Sequence, residues 1–241
     1  MTTLAPHERI DDLQRNGLRI IQQSKQFRFG MDAVLLANFT QVRKRDHVMD
    51  FGTGTGILPL LLSQDEPTAT FTALEWQADM VDMAQRSVAL NGLQERICVQ
   101  HMDIRQAHTL PKAQVVVCNP PYGKQGSVLP NENKGICLAR HETQCTLADI
   151  LKSASQVLGH HGRLSMVFPA HRVLELCDEM RKVRIEPKRL RMVCAKVSKP
   201  PYVVLVEGLK GAKPMLHWEA PLVVYHENGT ETKELMQIYH K

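Results

Sequence analysis

Short unbroken apolar runs alternate along this chain with longer segments whose apolar positions recur at helical spacing. Runs bounded by turn residues read as buried strands, and the longer segments as helices packed on them. The first strand is expected over 47–51 (His-Val-Met-Asp-Phe), and Ile57-Leu-Pro-Leu-Leu-Leu62 opens a helix over 56–64. Strand 70–75 follows, then a helix over 77–90 that stops at Asn91-Gly92, a common C-terminal signal. Strands 96–101 and 114–118, helix 146–158, strand 162–168 and helix 170–182 come next. Two strands, 188–197 and 202–208, close the sheet. This order implies an α/β, Rossmann-like fold with a seven-stranded, mostly parallel sheet and helices on both faces.

Ligands in such open sheets bind outside the carboxyl ends of the strands. Several polar residues fall there. Asp50 and Phe51 end the first strand, and Gly52-Thr-Gly54-Thr-Gly56 directly follows it. Strand, glycine loop and helix together let backbone approach and receive a ligand. The spacing is G-x-G-x-G, not that of a dinucleotide fold or a P-loop, and no Lys-Ser or Lys-Thr follows the last glycine. Strand two ends in Glu75, placed to accept both hydroxyls of a ribose. Trp76 follows and can pack on an adenine ring. Asp103 and Ile104 lie just past strand three, where a carboxylate can accept from an adenine amino group. The alternative for Glu75 and Asp103 is an exposed turn or helix-cap carboxylate. Together, at successive strand ends, they imply S-adenosylmethionine, with Asp50 near its methionine amino group.

Asn119-Pro120-Pro121-Tyr122 follows the run Val115-Val-Val-Cys118, 69 residues after Asp50. An exocyclic amine is a poor nucleophile because its lone pair is delocalised into the ring. An asparagine oxygen and a proline carbonyl can accept hydrogen bonds from that NH2 group, and proline's fixed φ holds its carbonyl in place. Tyr122 can stack on the extruded base. A rigid Asn-Pro turn after a strand is the plainer alternative. Combined with the glycine loop, the motif implies methyl transfer to an amino nitrogen.

Composition narrows the class. The 241 residues, 43% hydrophobic, can bury the core of one large domain. No apolar run reaches the roughly 18 residues of a transmembrane helix. The N-terminus is too polar for a signal peptide. Six cysteines (98, 118, 137, 145, 177, 194) include no C-x-x-C pair, and several fall in apolar patterns, so buried free thiols and a cytoplasmic location are expected. Eleven histidines include no H-E-x-x-H, and no metal site is assigned. Segment 123–145 is long, polar and glycine-rich, and is expected to act as a lid over substrate.

Net charge is +5, and the stretch from Arg181 to Lys213 alone carries +8. Arg189 and Arg191 alternate with Leu190 and Met192, so a strand shows both on one face. With Lys188, Lys196 and Lys199 they form a candidate phosphate-backbone footprint, joined by Arg140 and His141 at the end of the lid segment. The alternative is a charged sheet edge that resists aggregation.

The chain resembles the bacterial tRNA adenine-N6 methyltransferases that modify adenosine 37, beside the anticodon, in a valine tRNA. Beyond the motifs above, the resemblance rests on Phe27-Arg-Phe-Gly-Met-Asp32-Ala-Val-Leu-Leu-Ala and Ala139-Arg-His-Glu142. It extends through Val204-Leu-Val-Glu-Gly-Leu-Lys-Gly211, Pro221-Leu-Val-Val-Tyr-His-Glu-Asn-Gly229 and Ile238-Tyr239. It implies that Phe29, Gly30 and Asp32 border the cofactor pocket. Residues 1–45 are then an extension packing on that pocket, 46–213 the methyltransferase domain, and 214–241 a tail strand and helix of the same domain. Pro200-Pro201-Tyr202 departs from the family's small and polar residues there. A ribosomal RNA amino methyltransferase (adenine-N6 or guanine-N2) remains an alternative. A release-factor glutamine methyltransferase carries a helical domain before the glycine motif, for which the residues before Asp50 leave little room. A DNA adenine methyltransferase needs a longer target-recognition segment. A non-catalytic RNA-binding protein has no use for both intact motifs. Monomer and dimer both stay open.

Overall fold

The computed structural model describes residues 4–23, 30–120 and 145–239. The chain opens with an antiparallel hairpin, β1 (Glu8–Asp12) and β2 (Arg19–Gln23). Helix α1 (Met31–Phe39) follows and is buried at Ala33 through Ala37 and at Phe39. A helix apolar all round belongs in a core.

The central sheet is built from β3 (His47–Phe51), β4 (Thr70–Glu75), β5 (Ile97–His101), β6 (Ala113–Cys118), β7 (Leu158–Pro169), β8 (Ile185–Cys194) and β9 (Pro201–Lys210). Between them run α2 (Ile57–Leu62), α3 (Ala78–Leu90), α4 (Leu147–Val157) and α5 (Val173–Lys182). The strand order is β8-β9-β7-β6-β3-β4-β5, with β9 antiparallel to both neighbours and the other pairings parallel. Two short strands, β10 (His217–Trp218) and β11 (Leu222–Val223), pair with β8, giving nine strands rather than seven. They are two residues long each, too short for any periodicity to announce them. Helix α6 (Lys233–Tyr239) ends the described chain. No helix among the described residues is long and apolar enough to cross a membrane.

The sheet divides two cores. Val48, Val115, Val117 and Val167 face α1, α2 and α3, while Met49, Val116, Leu164 and Met166 face α4 and α5. A strand buried on both faces reads as a continuous apolar run, which is why 115–118 was legible. Each such side chain contributes roughly 1.5–3 kcal/mol by leaving water.

The boundaries that shift most lie in the second half of the chain. Helix α4 stops at Val157 because Leu158 turns extended (φ −65°, ψ 133°), and β7 starts there with an irregular stretch through Gly162. A Cβ at Gly162 would lie 2.9 Å from the Leu158 side chain, so the close pass needs glycine. Residues 170–172 form a 3₁₀ turn ahead of α5. Strand β8 begins and ends three residues earlier than the basic pattern indicated. The N-terminal hairpin docks on α3: the Ile21 N–H donates to Ser87 Oγ at 2.9 Å, and Arg86 pairs with Glu8 at 2.6 Å.

Candidate active site

Register brings three of the singled-out residues to one edge. Phe51 is level with Leu74 on one side and Cys118 on the other. Asp50, Glu75 and Asn119 therefore sit on three adjacent strand ends, around the first turn of the glycine loop.

The loop is held by its own backbone. The N–H groups of Gly52 and Thr53 both donate to Leu74 O, at 2.9 and 3.0 Å, and the Gly54 N–H donates to Glu75 Oε2 at 2.9 Å. Gly52, Gly54 and Gly56 have φ of 72°, 56° and 92°, the left-handed region that L side chains resist. A Cβ on Gly52 or Gly54 would meet no atom within 4 Å, so this loop wall opens onto free space. A Cβ on Gly56 would lie 3.4 Å from the Ala84 side chain, so that glycine sets how closely α2 and α3 pack.

Glu75 is buried, and its other oxygen accepts from the N–H groups of Trp76 and Gln77 at 2.8 and 2.9 Å. It anchors the glycine loop and the start of α3 together. A carboxylate offers about four lone-pair sites, so three backbone donors leave acceptor capacity. Asp50 is only 1% exposed, and among the described residues neither of its oxygens has a hydrogen-bond donor. Burial pushes its carboxyl up to about 7, opposed by the nearby Thr53 hydroxyl and reinforced by the charge of Glu75. The Thr53 hydroxyl is itself buried and completes no hydrogen bond among the described residues. An orphaned buried carboxylate beside an open glycine loop has the donor demand that a ligand's ammonium group satisfies.

Asp103 caps the 3₁₀ turn Ile104–Thr109 by accepting from the Arg105 N–H at 2.9 Å. It also pairs with the Arg105 guanidinium, which holds its carboxyl below the usual range. Sequence reasoning weighed a cap against a ligand contact, and the cap is present. Arg105 and Thr53 were both missed: one pairs two residues downstream of its acid, the other is a threonine between glycines. Ile104 is half-buried against the α4 face. Trp76 is 53% exposed, its ring centroid 5.9 Å from that of His101 in a tilted arrangement.

Asn119 is half-buried and Pro120 buried at the end of β6. Cys118 before them is buried among the α4-side residues, and burial pushes its thiol up. Of the other described cysteines, Cys98 and Cys145 are exposed and Cys177 and Cys194 half-buried, so the expectation of buried thiols holds for Cys118 alone. Gly30 is the N-cap of α1, and Asp32 in its first turn has its carboxyl raised by burial. Phe29, Pro121, Tyr122, Arg140, His141 and the lid segment 123–144 lie outside the described residues. Among the described residues, no three His, Cys, Asp or Glu side chains converge as metal ligands.

The basic stripe on β8 needs correction. Arg189 and Arg191 do share a face, but their side chains are only 15% and 14% exposed. Arg189 pairs with Glu219 at 2.7 Å and Glu207 at 3.4 Å, donates to Phe39 O, and lies 4.0 Å over the Phe39 ring. Arg191 donates to Ala220 O at 3.0 Å and pairs with Glu234 at 2.5 Å. Both guanidinium groups are committed to internal partners, mostly from the tail beyond residue 214, and present no phosphate footprint. Lys188 donates to Lys213 O at 3.1 Å and Lys196 to Glu227 O at 2.9 Å. Lys199 is exposed.

Comparison with known proteins assigns the family. Residues 29–186 match the family model described as the methyltransferase small domain. A tRNA1(Val) (adenine(37)-N6)-methyltransferase of Glaesserella parasuis is 30% identical over 207 residues, covering 86% of each chain. The chain belongs to this methyltransferase family. A relative of the same name from Tolumonas auensis is 32% identical over 66% of this chain and 70% of its own. Among solved structures, a predicted O-methyltransferase of Agrobacterium tumefaciens superposes with TM-score 0.71 at 22% identity, covering 87% of this chain and 95% of its own. That likeness concerns the fold, and it bears out the Rossmann-like reading. The protein is an S-adenosylmethionine-dependent methyltransferase.

Proposed function

We propose that this enzyme methylates the exocyclic N6 amine of adenosine 37 in valine tRNA. The observation that carries the reading is Asn119-Pro120 at the end of β6, one strand from the orphaned carboxylate of Asp50 and the open glycine loop. The names of its relatives support the choice of substrate.

S-adenosylmethionine, when bound, supplies an electrophilic methyl group on a sulfonium. Asp50 holds the methionine ammonium, and Glu75 uses its remaining acceptor capacity for the ribose. Gly52, Gly54 and Gly56 let backbone approach without a Cβ in the way. Trp76, Asp103 and Ile104 frame the adenine, and Gly30 and Asp32 border the pocket from the N-terminal extension. The Asn119 side-chain oxygen and the Pro120 carbonyl accept from the target NH2, turning its lone pair toward the methyl. Pro121 and Tyr122 lie outside the described residues, and the role proposed for Tyr122 is to stack on the base. An adenosine in a tRNA loop costs less to extrude than one in a duplex. Positioning supplies most of the rate enhancement. Lys196 and Lys199, with Lys188, Arg140 and His141, contribute phosphate contacts.

The test is methyl transfer from labelled S-adenosylmethionine to unmodified valine tRNA, read by nucleoside mass spectrometry. N6-methyladenosine beside the anticodon is the expected product. Transfer to ribosomal RNA or a release factor but not to this tRNA would discard the substrate assignment and keep the chemistry.

A further inference from the structure

Strand β9 carries a bulge at its start. Val193 pairs with Val203 but Cys194 pairs with Pro201, so Tyr202 is an extra residue without a partner on β8. Strict alternation would place Tyr202 with Val204 and Val206, among the residues facing α4 and α5. Its hydroxyl instead has Asp32 of α1 and Tyr225 and Tyr239 of the tail as electrostatic neighbours, and Tyr225 and Tyr239 pack on the opposite core. Bulges next to active sites commonly re-aim a side chain in this way. Burial raises the Tyr202 hydroxyl above its ordinary value, while the residue as a whole is 39% exposed. Pro200 and Pro201, each with φ fixed by its ring, hold the strand entry in one conformation.

The bulge sits on the catalytic edge. β9 begins where β7 ends, with Val203 opposite Pro169, while Cys118 is level with Met166 on β7. Tyr202 is therefore two strands from Asn119, ~10 Å across and ~10 Å further out by strand geometry. The β8–β9 turn beside it is closed by a Lys199 N–H to Lys196 O bond of 3.0 Å and presents the exposed Lys199. A partly exposed aromatic residue three positions along the chain from an exposed lysine, at the same edge as the reacting centre, is suited to receive an unpaired nucleotide: the base stacks and the phosphodiester pairs.

We infer that Tyr202 is the stacking platform for an unpaired base flanking the methylated adenosine, with Lys199 on the adjoining phosphodiester. The inference rests on the proposed RNA substrate. It concerns which neighbouring nucleotide the enzyme grips, a contact that Asn119 and Tyr122 do not supply.

The experiment is a cycle between protein and RNA changes, using the full chain and the anticodon stem-loop of valine tRNA. Tyr202→Ala should raise the KM for RNA by about tenfold, the scale of one lost base stack. Tyr202→Phe should stay near wild type, and the KM for S-adenosylmethionine should move in neither variant. Making one nucleotide beside the target abasic should cost the wild type a similar factor and cost Tyr202→Ala nothing further. Equal losses on both protein backgrounds at every flanking position would overturn the inference. So would Tyr202→Phe as damaging as Tyr202→Ala, because the hydroxyl and its packing would then be what matters. If the wild type binds S-adenosylmethionine but leaves the RNA unmethylated, the substrate assignment falls and the inference falls with it. Methylation with an additive cycle sinks the inference alone.

Discussion

The role proposed for Asp50 makes cofactor binding a titration. Its carboxyl is raised from 3.8 to about 7 by burial, which outweighs the opposing effect of the nearby Thr53 hydroxyl. Below the ordinary value, folded and unfolded chains both carry the proton. Between that value and about 7, the unfolded chain has lost it and the folded chain retains it. The folded state then binds more protons, so stability falls as pH rises across this window, by roughly 4 kcal/mol in total. A ligand ammonium reverses the preference, because it favours the ionised carboxylate. Binding therefore requires Asp50 to ionise, and affinity should drop as the solution is acidified below the carboxyl's own value. From half-ionisation at pH 7, affinity should fall about fivefold at pH 6 and about tenfold per unit below that. Working at or below pH 7 keeps an α-amino group, with its pKa of about 7.7–8.0, charged throughout. Calorimetry of S-adenosylhomocysteine binding from pH 5.5 to 7, in two buffers of different ionisation heat, reads both affinity and proton release. Asp50→Asn should lose roughly 10- to 100-fold in affinity, the scale of a charged hydrogen bond. It should also flatten the pH profile and stabilise the ligand-free protein at pH 8. A wild-type affinity constant from pH 5.5 to 7, or an Asp50→Asn profile as steep as wild type, would refute the reasoning.

Asn119→Ala should lower turnover by roughly 10²–10³, the effect of losing one positioned polar group, while calorimetric binding of the cofactor stays near wild type. Gly56→Ala forces φ of 92° on an L residue against Ala84, costing about 1–2 kcal/mol. A melting temperature lower by about 2–8 °C is expected in thermal unfolding. Arg189→Ala removes the ion pairs to Glu207 and Glu219, leaving Glu219 only its 4.0 Å pairing with Arg191, and uncovers Phe39, and should cost ~2–3 kcal/mol by urea titration. Lys199→Ala should leave stability within about 0.5 kcal/mol and weaken RNA binding most at low salt, measured by filter binding across a salt series.

The apolar runs and the turn residues that bound them determined the parallel strands, because a strand buried on both faces has no polar positions to confuse its limits. The same local logic picked out the residues proposed to line the ligand edge. Asp50 and Glu75 stand at the ends of such runs and Gly52 just after one, and register carries them together once the strands pair. Asn119 is reached the same way through the valines of β6. Tertiary structure decided what local sequence could not carry. Arg189 and Arg191 alternate as exposed strand residues do, yet Glu219 and Glu234 return from the tail to cover them. That pairing spans some tens of residues and leaves no trace in the periodicity of β8. Strands β10 and β11 are two residues long and exist only because β8 offers an open edge to the returning chain. The aim of Tyr202 depends on a register shift against β8, and alternation along its own strand points it to the wrong face. Local composition sets which segments are buried. Which polar side chains find partners is set by the segments that arrive later in the chain.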